Sequence, residues 1–206
     1  MNTSTVAASA VLILLLPLCG AAVNGLLGPI LPRRLVNIVG TASILAAFCV
    51  ACYMLGQVVS APDASKAATV RLWQWIDLGR GGLSVGLDVT LDPLSALMIM
   101  VITGVGFLIH VYSVGYMAHD RGVARFFSYM NLFIFSMLVL VLAADVAILI
   151  IGWALVALSV GWGLIRVLTA GAAVARAARS RFWEISVAGV GLLLLFRGLE
   201  GRQPGA

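Results

Sequence analysis

The sequence predicts an all-α polytopic membrane protein, with about six transmembrane helices and a small extramembrane β-hairpin between the second and third. Three observations predict it. Apolar residues make up 62% of the 206 residues, charged residues 10%, and the mean hydropathy is +1.11. The apolar residues fall in long runs separated by short basic or proline-containing breaks. One polar segment, residues 61–91, alternates apolar and polar side chains. A soluble globule of this length cannot hide so much apolar surface from water. That excludes a soluble enzyme, a nucleic-acid-binding module and a disordered chain.

The first run, Val6–Gly28, is closed by Pro29, Pro32, Arg33 and Arg34. It has no positive residue before it and is too long for the apolar core of a signal peptide, so it reads as a membrane helix. The second run is Leu35–Ser60. With the first it forms a two-helix unit, residues 1–60.

Residues 61–91 carry Asp63, Lys66, Arg71, Asp77, Arg80 and Asp88. Gly79-Arg80-Gly81-Gly82 has the composition of a turn, flanked by the alternating stretches Leu72–Ile76 and Leu83–Thr90. An open pair of strands cannot lie in lipid with its edges unpaired, so the hairpin belongs outside the membrane. Residues 92–167 supply the third helix (Asp92–Met117), the fourth (Phe126–Ala143) and the fifth (Asp145–Val167). Residues 168–206 form a basic connection, a short sixth helix at Trp183–Leu199 and a tail.

Lys and Arg on alternating connections give an orientation. Arg33, Arg34, Arg121, Arg125, Arg166, Arg176, Arg179 and Arg181 fall on one side, and Lys66, Arg71, Arg80, Arg197 and Arg202 on the other. The richer side is expected in the cytoplasm. The N-terminus, hairpin and tail are then expected on the outer face. The net charge of +5 fits this distribution and contact with anionic headgroups, without nucleic acid as a partner.

Ionisable groups inside a bilayer are costly, and each is a functional candidate. His110, two turns before the end of the third helix, can relay a proton or hydrogen-bond a neighbouring helix. Asn131 reads as packing glue between helices. Asp145 falls at a short turn, where a turn or N-cap role is open beside a relay role. Glu184 starts the sixth helix, where it suits the helix dipole and can pair with Arg181. Cys19, Cys49 and Cys52 lie in apolar runs without a metal-ligand partner and are expected as buried thiols. No metal cluster, nucleophile–base set or phosphate-binding loop is present, and no cofactor is expected in this chain.

Two stretches are distinctive. One is Leu91-Asp92-Pro93-Leu94-Ser95-Ala96-Leu97 with Val101-Ile102-Thr103-Gly104-Val105-Gly106-Phe107-Leu108-Ile109-His110-Val111-Tyr112. The other is Arg125-Phe126-Phe127-Ser128-Tyr129-Met130-Asn131-Leu132-Phe133. Together they resemble the N-terminal part of the antiporter-like subunit L of bacterial NADH-quinone oxidoreductase (respiratory complex I), a family related to the large subunits of Mrp-type antiporters. The resemblance implies a proton-translocating subunit of a membrane arm, driven by redox chemistry held elsewhere. It implies the bacterial inner membrane and other membrane-arm subunits as partners, and it makes His110 the family's third-helix histidine.

The departures are as specific. Where the family reads Gly-Trp-Glu-Gly-Val-Gly, this chain reads Gly152-Trp153-Ala154-Leu155-Val156-Ala157, so Ala154 stands at the family's membrane glutamate. The family's Arg-Val-Gly-Asp resembles Arg181-Phe182-Trp183-Glu184, and its upstream lysine falls near Ala175 and Arg176. The later helices of the family have no counterpart here, which implies a truncated or split-off copy. Three readings follow: a membrane-arm subunit or fragment, a degenerate assembly protein, or a component of a cation/proton antiporter or bicarbonate-uptake complex of the same fold.

The charge asymmetry makes topology testable. Single cysteines placed at Ser65 and Ser180 are expected to label from opposite faces of sealed membranes. Labelling of both from one face would overturn the six-helix topology.

Overall fold

The computed structural model describes residues 3–62, 67–77, 84–118 and 122–168. Helix α1 spans Thr3–Ala22 and continues as a π-helical turn, Val23–Leu27. Helix α2 is Arg33–Ser60. Strands β1 (Ala68–Asp77) and β2 (Ser84–Leu91) form the hairpin. Helices α3 (Pro93–Tyr116), α4 (Val123–Leu142) and α5 (Val146–Leu168) follow. Five of the expected helices and both strands are therefore in place. The expected sixth helix, Trp183–Leu199, and the turn at Gly79–Gly82 lie outside the described residues.

Among the described residues four helices are long and apolar enough to cross a membrane: α1 with its π turn, α2, α3 and α4. At about 1.5 Å per residue the shortest, α4, spans about 30 Å, the thickness of a hydrocarbon core. Helix α5 is apolar over Val146–Gly161. The chain is a multi-pass membrane protein.

Helix α4 packs against each of α1, α2, α3 and α5. The core gathers Ile13, Ile44, Met54, Ile99, Ile134 and Leu138, each almost fully buried. Outward faces are equally apolar: Leu94, Leu97, Val101, Val105, Leu108 and Tyr112 project from α3 away from the bundle. A helix apolar on all sides is what lipid on one face and protein on the other require. The three cysteines fall on such outward faces. This corrects the expectation of buried thiols: their apolar surroundings belong to the membrane side of the bundle and not to its core.

The hairpin closes one end of the bundle. The strands pair antiparallel, with Thr69 opposite Thr90 and Arg71 opposite Asp88. Register shifts between Arg71 and Trp73 and between Gln74 and Ile76 break the ladder twice. Strand β2 then binds the α4–α5 connection: Val89 bridges Ala143, and the Ala144 N–H donates to the Asp88 carbonyl at 3.0 Å. Val89 and Leu91 are buried in the helical core beneath it. At the opposite end, Arg33 Nη1 donates to the Ala118 carbonyl at 2.8 Å and ties the start of α2 to the end of α3.

Strand turns to helix at Asp92. Its carboxylate accepts from the Ser95 N–H at 2.7 Å, and its own N–H donates to Ser95 Oγ at 2.8 Å, a capping box with Pro93 in the first helical turn. Hydrogen bonding with Ser95, first through the side chain and then through the backbone N–H, holds the Asp92 carboxyl below its ordinary value. Arg71 holds Asp88 below its ordinary value of 3.8, chiefly by a side-chain hydrogen bond, against a small opposing effect of burial. That pair is bidentate, at 2.9 and 3.0 Å.

Both carboxyls have folded values below their unfolded ones. Their contribution is therefore complete above the unfolded value and lost as pH falls through the folded one. Hydrogen exchange of the β1–β2 amides, corrected for intrinsic rate, is expected to hold steady from neutral pH to about 3.8 and to weaken below it. Asp88→Asn should cost the hairpin about 0.2–1 kcal/mol at neutral pH, since Arg71 is half-exposed. It should also flatten most of the acid dependence. Acid dependence unchanged in that variant would remove Asp88 as its cause.

Candidate functional site

A seam of polar side chains crosses the end of the bundle that lies away from the hairpin. It begins where α1 widens into its π turn. A π turn adds a residue to the helical repeat and displaces the side chains around it. Asn24, in that turn, is 1% exposed, and its Nδ2 donates to the Val36 carbonyl of α2 at 3.2 Å. Gly40 makes the approach possible. A Cβ there would stand 2.7 Å from Phe127 Cδ1 and 3.1 Å from Asn24 Nδ2.

One turn earlier on α1, Gly20 lets α2 and α4 meet. Ser43 Oγ lies 2.7 Å from Asn131 Oδ1 and 2.9 Å from the Gly40 carbonyl, so its single proton serves one acceptor at a time. Asn131 Nδ2 donates to the Phe127 carbonyl at 2.8 Å. Ser128 Oγ donates across to the Ala21 carbonyl of α1 at 2.8 Å. Asn131 is thus the interhelical glue expected of it.

His110 lies on the far side of Phe127. It is fully buried, and its ring centroid is 5.7 Å from that of Phe127. It therefore faces the bundle, while Ile109 beside it is 43% exposed. His110 Nδ1 is 2.7 Å from the Gly106 carbonyl. A carbonyl only accepts, so Nδ1 carries a proton. His110 Nε2 is buried and has no hydrogen-bond partner among the described residues. Thr103 and Ser113, on the same face of α3, return their hydroxyls to the Ile99 and Ile109 carbonyls.

The other sequence candidates lie apart from this seam. Asp145 is at the α4–α5 connection on the hairpin side, where its Oδ1 accepts from the Ala147 N–H at 3.3 Å. Ala154 is on an exposed face of α5. Glu184, with Ala175, Arg176 and Arg181, lies outside the described residues. Among the described residues no three His, Cys, Asp or Glu side chains gather as metal ligands.

Asn24, Asn37, Thr41 and Ser43 are not among the sequence candidates, because they carry no charge and a census of acids, bases and histidines in the first two apolar runs is empty. The spacing of Asn37 and Thr41, four residues apart within an apolar run, was the available signal.

Fold and seam together define a class: a multi-pass helical membrane protein with an internal polar core and a hairpin over one end. Comparison with known proteins is more specific. Residues 75–127 match the family model for the N-terminus of chain 5 of NADH-ubiquinone oxidoreductase (complex I). Subunit L of the NADH-quinone oxidoreductase of Mycobacterium tuberculosis is 42% identical over 132 residues, 64% of this chain and 20% of that protein. Subunit L of Escherichia coli is 51% identical over 75 residues, 36% of this chain and 12% of that protein.

The structure of the Mrp complex from Dietzia sp. aligns with 90% of this chain and 18% of its own, at a TM-score of 0.68 and 26% identity. An archaeal membrane-bound sulfane sulfur reductase aligns with 90% of this chain and 35% of its own, at a TM-score of 0.67 and 19% identity, a likeness of fold. The chain is similar to the N-terminal part of subunit L, and its match spans about a fifth of the curated relatives' length.

Close packing at the seam is testable. Gly40→Ala should destabilise the bundle by about 1–3 kcal/mol, because the Phe127 ring and Asn24 must move. Gly56, with nothing within 4 Å of its Cβ position, should tolerate alanine and gain up to about 1 kcal/mol in helix propensity. Thermal unfolding in detergent is expected to separate the two in opposite directions.

Proposed function

We propose that this chain works as the N-terminal helical module of a membrane-arm subunit in a proton-translocating NADH-quinone oxidoreductase, contributing to proton translocation coupled to quinone reduction. The observation that carries this reading is the 42% identity to a subunit L over 132 residues, on a fold shared with the Mrp complex. The module resides in the bacterial inner membrane, with its N-terminus and hairpin on the outer face. Its partners are the other membrane-arm subunits, and the electron-carrying cofactors reside elsewhere in the assembly.

Within that role the described residues supply a tightly packed wall with one buried histidine, His110, inside it. His110 is a candidate relay, positioned by Gly106 and Phe127. A path across the bilayer needs further titratable groups or water at depth, since an isolated charge there costs at least about 2.5–3.5 kcal/mol. The central turns of α1, α2 and α4 hold no acid, base or second histidine. The alanine at position 154 stores no proton. The remaining steps then fall to groups beyond these helices, and Asp145 and Glu184 serve helix ends before they serve transfer.

Affinity-tagged chain expressed in a host with complex I genes is expected to co-purify with the membrane-arm subunits. Recovery with none of them would overturn the assignment. The purified chain in proteoliposomes is expected to pass no more protons than empty vesicles. Flux above that control, surviving His110→Leu, would show a path independent of both His110 and the glutamate position.

A further inference from the structure

Among the described residues, buried polar atoms without a hydrogen-bond partner are Asn24 Oδ1 in the π turn and, on the α2–α3 pair, His110 Nε2, Thr41 Oγ1 and Asn37 Oδ1. Buried polar groups are almost always satisfied, by protein or by ordered water. The last three lie at neighbouring levels along the α2–α3 pair. Asn37 and Thr41 are four residues apart, one above the other on a single face of α2. Phe48, on that same flank, meets α3 at Gly104, with its ring 3.0 Å from the Cβ position. Arg33 meets α3 at the Ala118 carbonyl. The antiparallel register between those two contacts puts Thr41 level with His110, and Asn37 one turn closer to Arg33.

The chemistry of the three atoms is complementary to one molecule. His110 Nδ1–H donates to the Gly106 carbonyl, so in the neutral ring Nε2 is an acceptor. Asn37 Oδ1 is an acceptor, because it is the carbonyl oxygen of the amide. Thr41 has a hydroxyl proton to give. Two acceptors and one donor match water, which gives two protons and accepts at its own oxygen. Buried waters typically make about three such bonds.

We propose that a structural water binds between α2 and α3. It donates to His110 Nε2 and Asn37 Oδ1, accepts from the Thr41 hydroxyl, and so holds the His110 ring as its Nδ1–H tautomer. The site belongs to the helix pair itself and stands whether or not the chain enters a larger complex. It gives His110 an exchangeable hydrogen-bond partner that the described side chains do not supply.

Nitrogen-15 NMR of the full-length chain in lipid bilayers reads this directly. His119→Gln leaves His110 as the one histidine, since the chain has two. An unprotonated, hydrogen-bonded Nε2 with a water cross-peak is expected. Thr41→Val and Asn37→Leu should each weaken that cross-peak and move Nε2 downfield, toward a free imine nitrogen, with Nδ1 still protonated. Thr41→Ser keeps a hydroxyl and should retain both features, which separates loss of the site from loss of fold.

A cross-peak to the Thr41 hydroxyl with none to water would overturn the proposal, as would protonation at Nε2 in place of Nδ1. A response to exchange of sodium for potassium would make the occupant a cation and overturn it as well. None of these readouts depends on co-purification or proton flux, so the site and the proposed function fail separately.

Discussion

Inside hydrocarbon a polar group has no bulk water to return to, and that constraint shapes this bundle more than any apolar contact does. Leucine gains nothing by leaving lipid for a neighbouring helix, because the tails are as apolar as its side chain. What distinguishes one helix face from another is which polar atoms find partners there. In this chain Asn24 finds the Val36 carbonyl, Ser43 finds Asn131, and Ser128 finds the Ala21 carbonyl. Each bond crosses between helices, and together they fix α1, α2 and α4 to one another. The glycines follow from the same demand. Gly20 and Gly40 stand where a side chain would push the polar partners out of reach.

The hairpin obeys the constraint from the other direction. Strand edges cannot enter lipid, so β1 and β2 lie beyond the helix ends. Strand β2 nevertheless sends Val89 and Leu91 down into the core and gives the Asp88 carbonyl to the Ala144 N–H. The α4–α5 connection is thereby tied to the strand that leads into α3. Elements distant in sequence close one end of the bundle, while Arg33 and Ala118 join two helix ends at the other.

The membrane helices were legible because their signal is bulk hydropathy, which needs no partner to be read. Their bounds moved by only a few residues: the fourth run, read as Phe126–Ala143, forms Val123–Leu142. The hairpin was legible from alternation, although β1 begins at Ala68, earlier than the Leu72 expected. That extra length pairs with Thr90 and Leu91, a long-range fact that no local window contains. Of the two roles expected of His110, relay or a hydrogen bond to a neighbouring helix, the bond that forms goes to Gly106 of its own helix. The seam around it was not legible, because Asn24 and Ser43 are ordinary polar residues until the π turn and the glycines bring them into register with α4. The outward placing of the thiols is illegible for a related reason: hydropathy reports an apolar environment but not which side of the helix is lipid.

The position of Ala154 relative to this seam bears on how the chain divides its labour. The seam is built by α1, α2 and α4, with His110 of α3 against it, whereas Ala154 sits on α5, which packs on α4. A glutamate at that outward position would meet lipid or a neighbouring helix, where a carboxylate is costly without polar surroundings. Among the described residues of α5 the buried polar side chain is Ser159, whose hydroxyl returns to the Val156 carbonyl of its own helix. Nothing described around α5 is prepared for a charge, and alanine at position 154 is consistent with that neighbourhood. Among the described residues the interhelical polar contacts thus join α1, α2 and α4, while α5 meets α4 through apolar packing and a self-satisfied serine.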